Sequence, residues 1–226
     1  MTERVWNILV ESFPKILLPG LKMTLPLTLI AFSIAMVIAV VVALVQFAHI
    51  KGLTQLSRFY IWVIRGTPLL VQLFVVFYGF RAGAVMSPFW AAVLVFSINE
   101  GAYCAETMRG ALEGVPAGQI EAGYCVGMRY TQIMRRIVLP QALRTAFPSL
   151  SNNLISMVKD TSLAANITVV EMFMATQRIN ARYYEPLALY LEVAFIYLMF
   201  STVLTWLQRW GEKRLGALGG KEARHA

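Results

Sequence analysis

Long apolar runs alternate with short polar connections along most of the chain. The first run, 23–48, holds 26 residues without a charge. As a helix it is about 39 Å long, which exceeds the ~30 Å hydrocarbon core of a bilayer and leaves room for tilt. Further apolar runs lie at 58–80, 89–109, 144–170 and 186–207. The pattern predicts an all-α integral membrane protein with about five transmembrane helices.

The two ends of the chain differ from these runs. Residues 1–20 are amphipathic, and one helical face carries the apolar residues Trp6, Leu9, Phe13 and Ile16. This pattern predicts an N-terminal helix that lies in the membrane interface. The segment is too charged for a secretory signal peptide and lacks a small-residue cleavage site. Residues 208–226 are polar and contain several glycines, so we expect a frayed tail.

The composition agrees with a membrane protein. The 226 residues are 58% hydrophobic and 14% charged, whereas soluble domains are roughly one quarter charged. The length fits one membrane domain, 1–226, and no internal repeat is visible. The formal net charge of +8 is better explained by membrane topology and anionic lipid headgroups than by nucleic acid. We therefore expect lipid, and no nucleic acid, among the partners.

The positive charges also predict an orientation. Lys and Arg are twice as frequent in the connection after the first run, the 109–144 block and the C-terminal tail as in the remaining connections. The side with more Lys and Arg is usually cytoplasmic. The sequence therefore predicts an N-terminus outside and a C-terminus in the cytoplasm. The remaining connections include the turn near Arg81 and the loop with Arg178 and Arg182.

The sequence lacks the common motifs of catalytic, metal-binding and nucleotide-binding sites. No histidine or cysteine spacing typical of a metal site and no GxSxG nucleophile motif occurs. No GxxxxGK[ST] loop occurs either, so we expect no ATP bound by this chain. Cys104 lies in an apolar run and Cys125 in a polar block, which makes a disulfide between them implausible. The chain is predicted not to be an enzyme.

Two polar stripes follow helical spacing within the apolar runs. The third run carries Asn99, Tyr103, Glu106 and Gly110 on one face, and the fourth carries Ser149, Asn153, Ser156 and Asp160. Together the stripes predict a hydrophilic path. Serine and asparagine also serve as hydrogen-bonding contacts between membrane helices, and that alternative stays open for them. Asp160 is the only aspartate in the chain and lies near the middle of its run, which favours a functional role.

Other polar positions in the runs have simpler explanations. Arg65, Glu100 and Glu106 lie toward the cytoplasmic ends of their runs, where snorkelling to water is inexpensive. Glu192 stands alone in the fifth run, and a structural partner is as good an explanation as a site. A small-residue face on the first run predicts close helix packing rather than a pathway wall; it consists of Thr24, Thr28, Ala31 and Ala35.

The block EAGYCVGMRYTQIMRRIVLP, 121–140, is polar and lies between apolar runs. Its pattern resembles the EAA motif of permease subunits of bacterial ATP-binding-cassette importers. The matching residues are Glu121, Ala122, Gly123, Gly127, Ile137, Leu139 and Pro140. Gly123 replaces the usual second alanine and is expected to loosen the first helix by about 1 kcal/mol. The stretches IRGTPLLVQLFVVFYG (64–79), NEGAYCAETMRGAL (99–112) and SLSNNLISMVKDTSLAANITVVEMF (149–173) are similar to polar-amino-acid permeases. The resemblance is strongest to L-cystine permeases and extends to histidine, arginine and glutamine permeases.

The resemblance implies a type I importer fold in the bacterial cytoplasmic (inner) membrane, with a cytoplasmic coupling-helix loop at 113–143 that docks on an ATPase. It also implies partners: an ATPase dimer that holds ATP and Mg, a second permease copy or sister subunit, and an extracytoplasmic binding protein. Polar amino acids, with a preference for L-cystine, are the implied substrates. Asp160 is then a natural partner for the ammonium group, and the stripe residues Ser156, Asn153, Asn99, Tyr103 and Glu106 complete the candidate substrate site.

Three other functional classes are compatible with parts of the sequence. A carrier driven by an ion gradient would use Glu106 and Asp160 as a relay, but five runs without an inverted repeat are unusual for that class. A membrane enzyme would need a nucleophile–base pair or a metal cluster, and the sequence suggests neither. A membrane scaffold or sensor would transport nothing. The ion-driven carrier is the main alternative.

Overall fold

The computed structural model describes residues 3–79 and 86–222, and within them the regular structure is helical throughout. The prediction of an all-α fold is confirmed. The α-helices are α1 (Glu3–Pro19), α2 (Leu25–Phe47), α3 (Leu53–Arg65), α4 (Leu69–Gly79), α5 (Pro88–Glu113), α6 (Ala117–Cys125), α7 (Tyr130–Ile133), α8 (Leu139–Asp160), α9 (Met172–Tyr183) and α10 (Pro186–Glu222). Residue 80 and Arg81, which belong to the predicted second run and the turn after it, lie outside the described residues.

The N-terminal segment is helical, but it is not a separate helix. A π-helical turn, Gly20–Thr24, joins α1 to α2, so one helix runs over Glu3–Phe47. Its buried face consists of Ile8, Ser12 and Ile16, whereas Trp6 remains 62% exposed. The apolar residues of α1 pack partly against α9 and α10, because Ile16 forms a core cluster with Met172 and Ile196.

Length and composition alone identify fewer spans than five in the described part of the chain. Glu3–Phe47 and Pro186–Leu215 are long and apolar enough to cross a membrane, and α3 with α4 counts as a third only if the bent pair is one span. The helices α5 and α8 have 26 and 22 residues, which is sufficient length at about 1.5 Å per residue. Their polar stripes lower the hydropathy that would mark them as spans.

The predicted second run is not one straight helix. The axes of α3 and α4 differ by 101° across the break at 66–68. Pro68 has no backbone N–H to donate and disfavours a helical conformation in the residue before it. The hydroxyl of Thr67 donates to the carbonyl of Val63 at 2.9 Å, which satisfies one carbonyl at the end of α3. The break therefore places a sharp corner beside α5.

The boundaries in the last third of the chain also differ from the expectation. The helix predicted over 144–170 ends at Asp160, and a 3₁₀ helix, Thr161–Ile167, follows it. Asp160 is thus at the end of α8 rather than near the middle of a span. The 3₁₀ helix in turn ends in a run of four β-branched residues, Ile167, Thr168, Val169 and Val170, which have low helix propensity. Helix α9 lies in the predicted loop, where the Glu171 carboxylate accepts from the N–H groups of Phe173 and Met174 at its start. Helix α10 continues past 207 to Glu222, where a frayed tail was expected.

The most extensive helix contact joins α2 to α5. The contact face is a stripe of buried small residues on the π-helical turn and α2: Thr24, Thr28, Ala31, Ala35, Ala39 and Ala43. Small residues let two backbones approach closely. The predicted role of the small-residue face in helix packing is confirmed. Cys104 is buried and Cys125 exposed, and both thiols are free, so the expectation of no disulfide between them is confirmed.

Gly101 tests how closely the helices pack. A Cβ atom at this position would lie 2.9 Å from Cγ2 of Ile38 and 3.1 Å from the hydroxyl of Tyr60. We expect Gly101→Ala to lower stability by about 1–3 kcal/mol because the core is overpacked. Gly110, on the same helix, has open space around it, so Gly110→Ala should be neutral or stabilising by up to about 1 kcal/mol. Thermal unfolding in detergent measures both; equal shifts of the melting temperature would contradict the packing argument.

Candidate functional site

A cavity of about 590 Å³ lies between the α3–α4 corner, α5 and α8. Five of the six residues predicted to form a substrate site line it: Asn99, Tyr103, Asn153, Ser156 and Asp160. The sequence pattern placed them on two helix faces, and the packing of α5 against α8 brings those faces together. The polar stripes therefore meet in one place.

Glu106, the sixth predicted residue, does not line this cavity. Its carboxylate pairs with the guanidinium groups of Arg109 at 3.1 Å and Arg65 at 3.4 Å. Arg109 also pairs with Glu113 at 2.7 Å. These ion pairs run along the C-terminal half of α5 and reach across to the end of α3.

Arg65 is exposed, in agreement with the expectation that it snorkels to water, and it also lines the cavity. Its guanidinium carbon lies 5.1 Å from the centre of the Tyr103 ring, within cation–π range. The pair with Glu106 holds it from the other side. Arg65 is thus a positioned cation at the wall of the cavity. The Arg-Gly-Thr-Pro corner was the available signal, since it interrupts an apolar run.

Gln72 stabilises the α3–α4 corner through hydrogen bonds, and the sequence analysis did not identify it. Its amide nitrogen donates to the carbonyl of Ile64 at 2.8 Å and to the hydroxyl of Thr67 at 2.8 Å. Its amide oxygen accepts from the amide of Asn99 at 3.0 Å. One side chain therefore ties the corner to the polar face of α5. A glutamine within an apolar helix was the only hint.

Glu100 is buried beside the predicted stripe and also lines the cavity. The thiol of Cys104 lies 3.5 Å from its carboxyl oxygen and accepts from the amide of Asn153 at 3.4 Å. This chain of contacts connects α5 to α8. Among the described residues, none donates a hydrogen bond to Asp160, so its carboxylate is available at the cavity wall. Glu192 has a structural partner, because Ser12 donates to it.

The polar block folds into a compact unit outside this cavity. Helix α6 ends in a Schellman motif, in which the N–H of Gly127 donates to Tyr124 and that of Met128 to Gly123. Gly127 has φ +78°, a conformation that favours glycine. Glu121 and Ala122 are exposed on α6, and Leu139 and Pro140 begin α8. The block passes into α8 through a π-helical turn, Met134–Val138.

Gly123 packs inside the block. A Cβ at this position would lie 2.8 Å from Cγ1 of Ile133 and 3.5 Å from Cδ1 of Ile137. The glycine therefore allows the two short helices to approach, which offsets the loosening expected from its low helix propensity. A hollow of about 510 Å³ opens beside it, lined by Ala122, Val126 and Pro140 among others.

Comparison with known proteins identifies the family. Residues 35–217 match the family described as "Binding-protein-dependent transport system inner membrane component". The chain belongs to this family. It is 43% identical to the L-cystine transport system permease protein TcyB of Bacillus subtilis (strain 168), over 93% of this chain and 91% of the relative. It is 37% identical to the octopine transport system permease protein OccM of Rhizobium radiobacter, over 88% and 87% of the two chains.

A solved structure agrees with the family assignment. The permease superimposes with a TM-score of 0.86 and 32% identity on a chain of the "Crystal structure of an amino acid ABC transporter with histidines", covering 95% of this chain and 100% of that one. The predicted type I importer fold is therefore confirmed. The permease is a transport subunit, and its family relies on a separate ATPase for ATP hydrolysis. Membership in this family displaces the ion-driven carrier, whereas the absence of a cofactor in this chain stays a prediction.

Chemical labelling tests whether water reaches the cavity of the permease. Ser156 is exposed and lines the cavity, whereas the next residue, Met157, is 1% exposed. In a Cys125→Ser background, we expect Ser156→Cys to react with a water-soluble maleimide and Met157→Cys to stay unlabelled. The native Cys104 is buried and should not contribute. Labelling of neither cysteine would mean that the cavity is closed to water. Equal labelling of both would mean that α8 is rotated.

Proposed function

We propose that the permease imports polar amino acids, L-cystine in preference, through the cavity that contains Asp160. The observation that carries this proposal is the meeting of the two polar stripes opposite Arg65 in one cavity. The relatives named for L-cystine and octopine transport support the substrate class. Energy comes from a separate ATPase, and an extracytoplasmic binding protein delivers the substrate.

The charges of the cavity match those of an amino acid. A zwitterion needs an anionic partner for its ammonium group and a cationic partner for its carboxylate. Asp160 supplies the first and Arg65 the second, and both line the same cavity. Asn99, Asn153 and Ser156 offer hydrogen bonds to the remaining polar atoms. Glu106 then acts on Arg65, which it holds in position, rather than on the substrate.

The cavity offers the carboxyl groups of two side chains, Asp160 and Glu100. This pair suits a substrate with two cationic groups, a property of L-cystine and also of the basic amino acids. The 43% identity with an L-cystine permease favours L-cystine between them.

The polar block supplies the coupling to ATP. Glu121 and Ala122 are exposed for docking, while Gly123, Gly127 and Ile137 shape the unit behind them. The block leads through Leu139 and Pro140 into α8, which is one unbroken helix of 22 residues that ends at Asp160. At about 1.5 Å per residue, that helix spans ~33 Å. A displacement of the docked block therefore moves the wall of the cavity.

The assembly we propose has two permease subunits, either two copies of this chain or this chain with a sister, on an ATPase dimer. The N-terminus lies outside the bacterial cytoplasmic membrane, and the C-terminus and polar block lie in the cytoplasm. The excess of Lys and Arg in the block and the tail supports this orientation.

The first test of this function is Asp160→Asn. We expect uptake by the complete transporter to fall by about tenfold or more, since a charge-assisted hydrogen bond contributes about 1.5–3 kcal/mol. ATP hydrolysis should persist, because the change is remote from the polar block. Glu185→Gln, in the connection between α9 and α10 and outside the cavity, is the matched control. Uptake of radiolabelled L-cystine and of histidine distinguishes the substrates, and undiminished uptake of every amino acid tested would refute the role of Asp160.

A second test concerns the docking of the ATPase. We expect Ala122→Trp to abolish co-purification of the ATPase from membranes solubilised in mild detergent, because the indole blocks an exposed contact surface. Ala181→Trp, exposed on α9 and remote from the block, should retain the ATPase. Equal membrane insertion of the variants is checked first. Retention of the ATPase by Ala122→Trp would place the docking surface elsewhere.

A further inference from the structure

Gln72 determines which end of the Asn99 amide can reach the cavity that contains Asp160. A side-chain amide has a donor end, the NH₂ group, and an acceptor end, the oxygen, and the two ends bind opposite partners. Asn99 lines the cavity, whereas Gln72 does not. The hydrogen bond between them therefore links a residue of the α3–α4 corner to the chemistry of the site.

The orientation of the Gln72 amide is fixed by two carbonyl groups. Its Nε2 atom lies 2.8 Å from the carbonyl oxygen of Ile64 and 3.2 Å from that of Thr67. A carbonyl oxygen accepts hydrogen bonds and cannot donate them, so the NH₂ group of Gln72 must lie on this side. A rotation of the amide by half a turn would place its oxygen against both carbonyl oxygens. The Oε1 atom of Gln72 is therefore held toward α5.

The orientation of the Asn99 amide follows from that of Gln72. Oε1 of Gln72 accepts a hydrogen bond from Nδ2 of Asn99 at 3.0 Å, and the opposite orientation of Asn99 would bring two oxygens together. The Oδ1 atom of Asn99 accepts no hydrogen bond from any described residue, and it is not among the side-chain atoms that lie fully buried without a partner. Because Asn99 lines the cavity, this oxygen is accessible from it.

Asn153, on α8, is oriented in the same sense. The thiol of Cys104 donates to the carboxyl group of Glu100 at 3.5 Å, so its sulfur accepts from Nδ2 of Asn153 at 3.4 Å. The Oδ1 atom of Asn153 likewise has no donor among the described residues and is not fully buried. Two amide oxygens thus join the carboxyl groups of Asp160 and Glu100 as acceptors in one cavity.

We propose, building on the proposed function, that Gln72 is a positioning residue that makes Asn99 an acceptor for an ammonium group of the substrate. An ammonium group has three N–H donors, so one carboxylate partner leaves donors for the amide oxygens to accept. A carboxylate of the substrate only accepts, and it would meet oxygens at these positions and need Arg65 instead. The site therefore selects substrates rich in N–H donors and disfavours those with additional carboxylates.

Two analogues of L-cystine separate its charges and serve as probes. Cystamine keeps both ammonium groups and lacks the carboxylates, whereas dithiodipropionate keeps both carboxylates and lacks the ammonium groups. Binding of each is measured by calorimetry on the complete permease–ATPase complex in nanodiscs. The binding protein is left out, so that its own selectivity does not enter the measurement.

Asn99→Leu tests the contact itself. We expect this variant to bind cystamine about tenfold more weakly, as for loss of a hydrogen bond to a charged group, and to weaken dithiodipropionate binding by less than about twofold. The hydrogen bonds of Gln72 to Ile64 and Thr67 do not involve Asn99. The variant therefore tests the acceptor independently of the α3–α4 corner.

Gln72→Met tests the positioning. Loss of the Gln72 oxygen lets the Asn99 amide rotate, so we expect cystamine to bind about threefold or more weakly. In an Asn99→Leu background the same substitution should cause no further loss, because the oriented group is gone. The matched control is Gln55→Met, since Gln55 is exposed, accepts from the N–H of Gly52 at the start of α3 and does not line the cavity. Melting temperatures confirm that each variant is folded.

The outcomes separate this proposal from a purely structural role of Gln72. Selective losses of cystamine binding that do not add in the double variant support it. Equal losses of both analogues, or additive effects of Gln72→Met and Asn99→Leu, overturn it. Unchanged cystamine binding in Asn99→Leu, in a complex that binds L-cystine, overturns this inference alone. A wild-type complex that binds neither L-cystine nor cystamine overturns the proposed function with it.

Discussion

Alanine side chains on one face of α2 bring its backbone close to α5, and the other helices of the cavity pack around α5. Helix α5 contacts α2, α3, α4 and α8, and it contributes residues to the cavity that contains Asp160. A membrane provides no hydrophobic force between helices, so close packing and hydrogen bonds must hold them together. Gly101 shows how tight this contact is, because a single added methyl group would lie too close to Ile38 and Tyr60.

The polar groups of the apolar helices follow the same constraint. In lipid an unpaired polar group is costly, and most of those on α5 have partners from neighbouring helices. Asn99 is joined to the corner by Gln72, Cys104 links Glu100 to Asn153, and Glu106 joins Arg65. Asp160, at the end of α8, lacks such a partner among the described residues, and it lies at the wall of the cavity. Because its neighbours on α5 are paired, Asp160 is the best candidate for contact with a ligand.

Sequence analysis correctly grouped the residues whose positions follow helical periodicity. Helical spacing placed Asn99 and Tyr103 on one face and Asn153 and Asp160 on another, and the helices preserve those faces. Glu106 shares the same spacing but turns to Arg65 and Arg109, because ion pairs across helices are not encoded in periodicity. The hydrogen bonds of Gln72 at the α3–α4 corner likewise form only in the folded structure and leave no trace in the periodicity. The end of α8 at Asp160 was hidden because the segment after it, 161–167, contains leucine and alanine and stays helical, as a 3₁₀ helix.

The unbroken helix Glu3–Phe47 has a geometric consequence for the protein's relation to the bilayer. Its 45 residues correspond to about 68 Å. Even tilted by about 40°, the upper end of the usual range, it projects over roughly 52 Å, more than the ~40–45 Å of a bilayer with its headgroups. A straight helix of this length therefore extends beyond the headgroups. Glu11 pairs with Lys15 and accepts from Tyr183 of α9, so the charged part of α1 and the end of α9 are tied together and can leave the bilayer only as one unit.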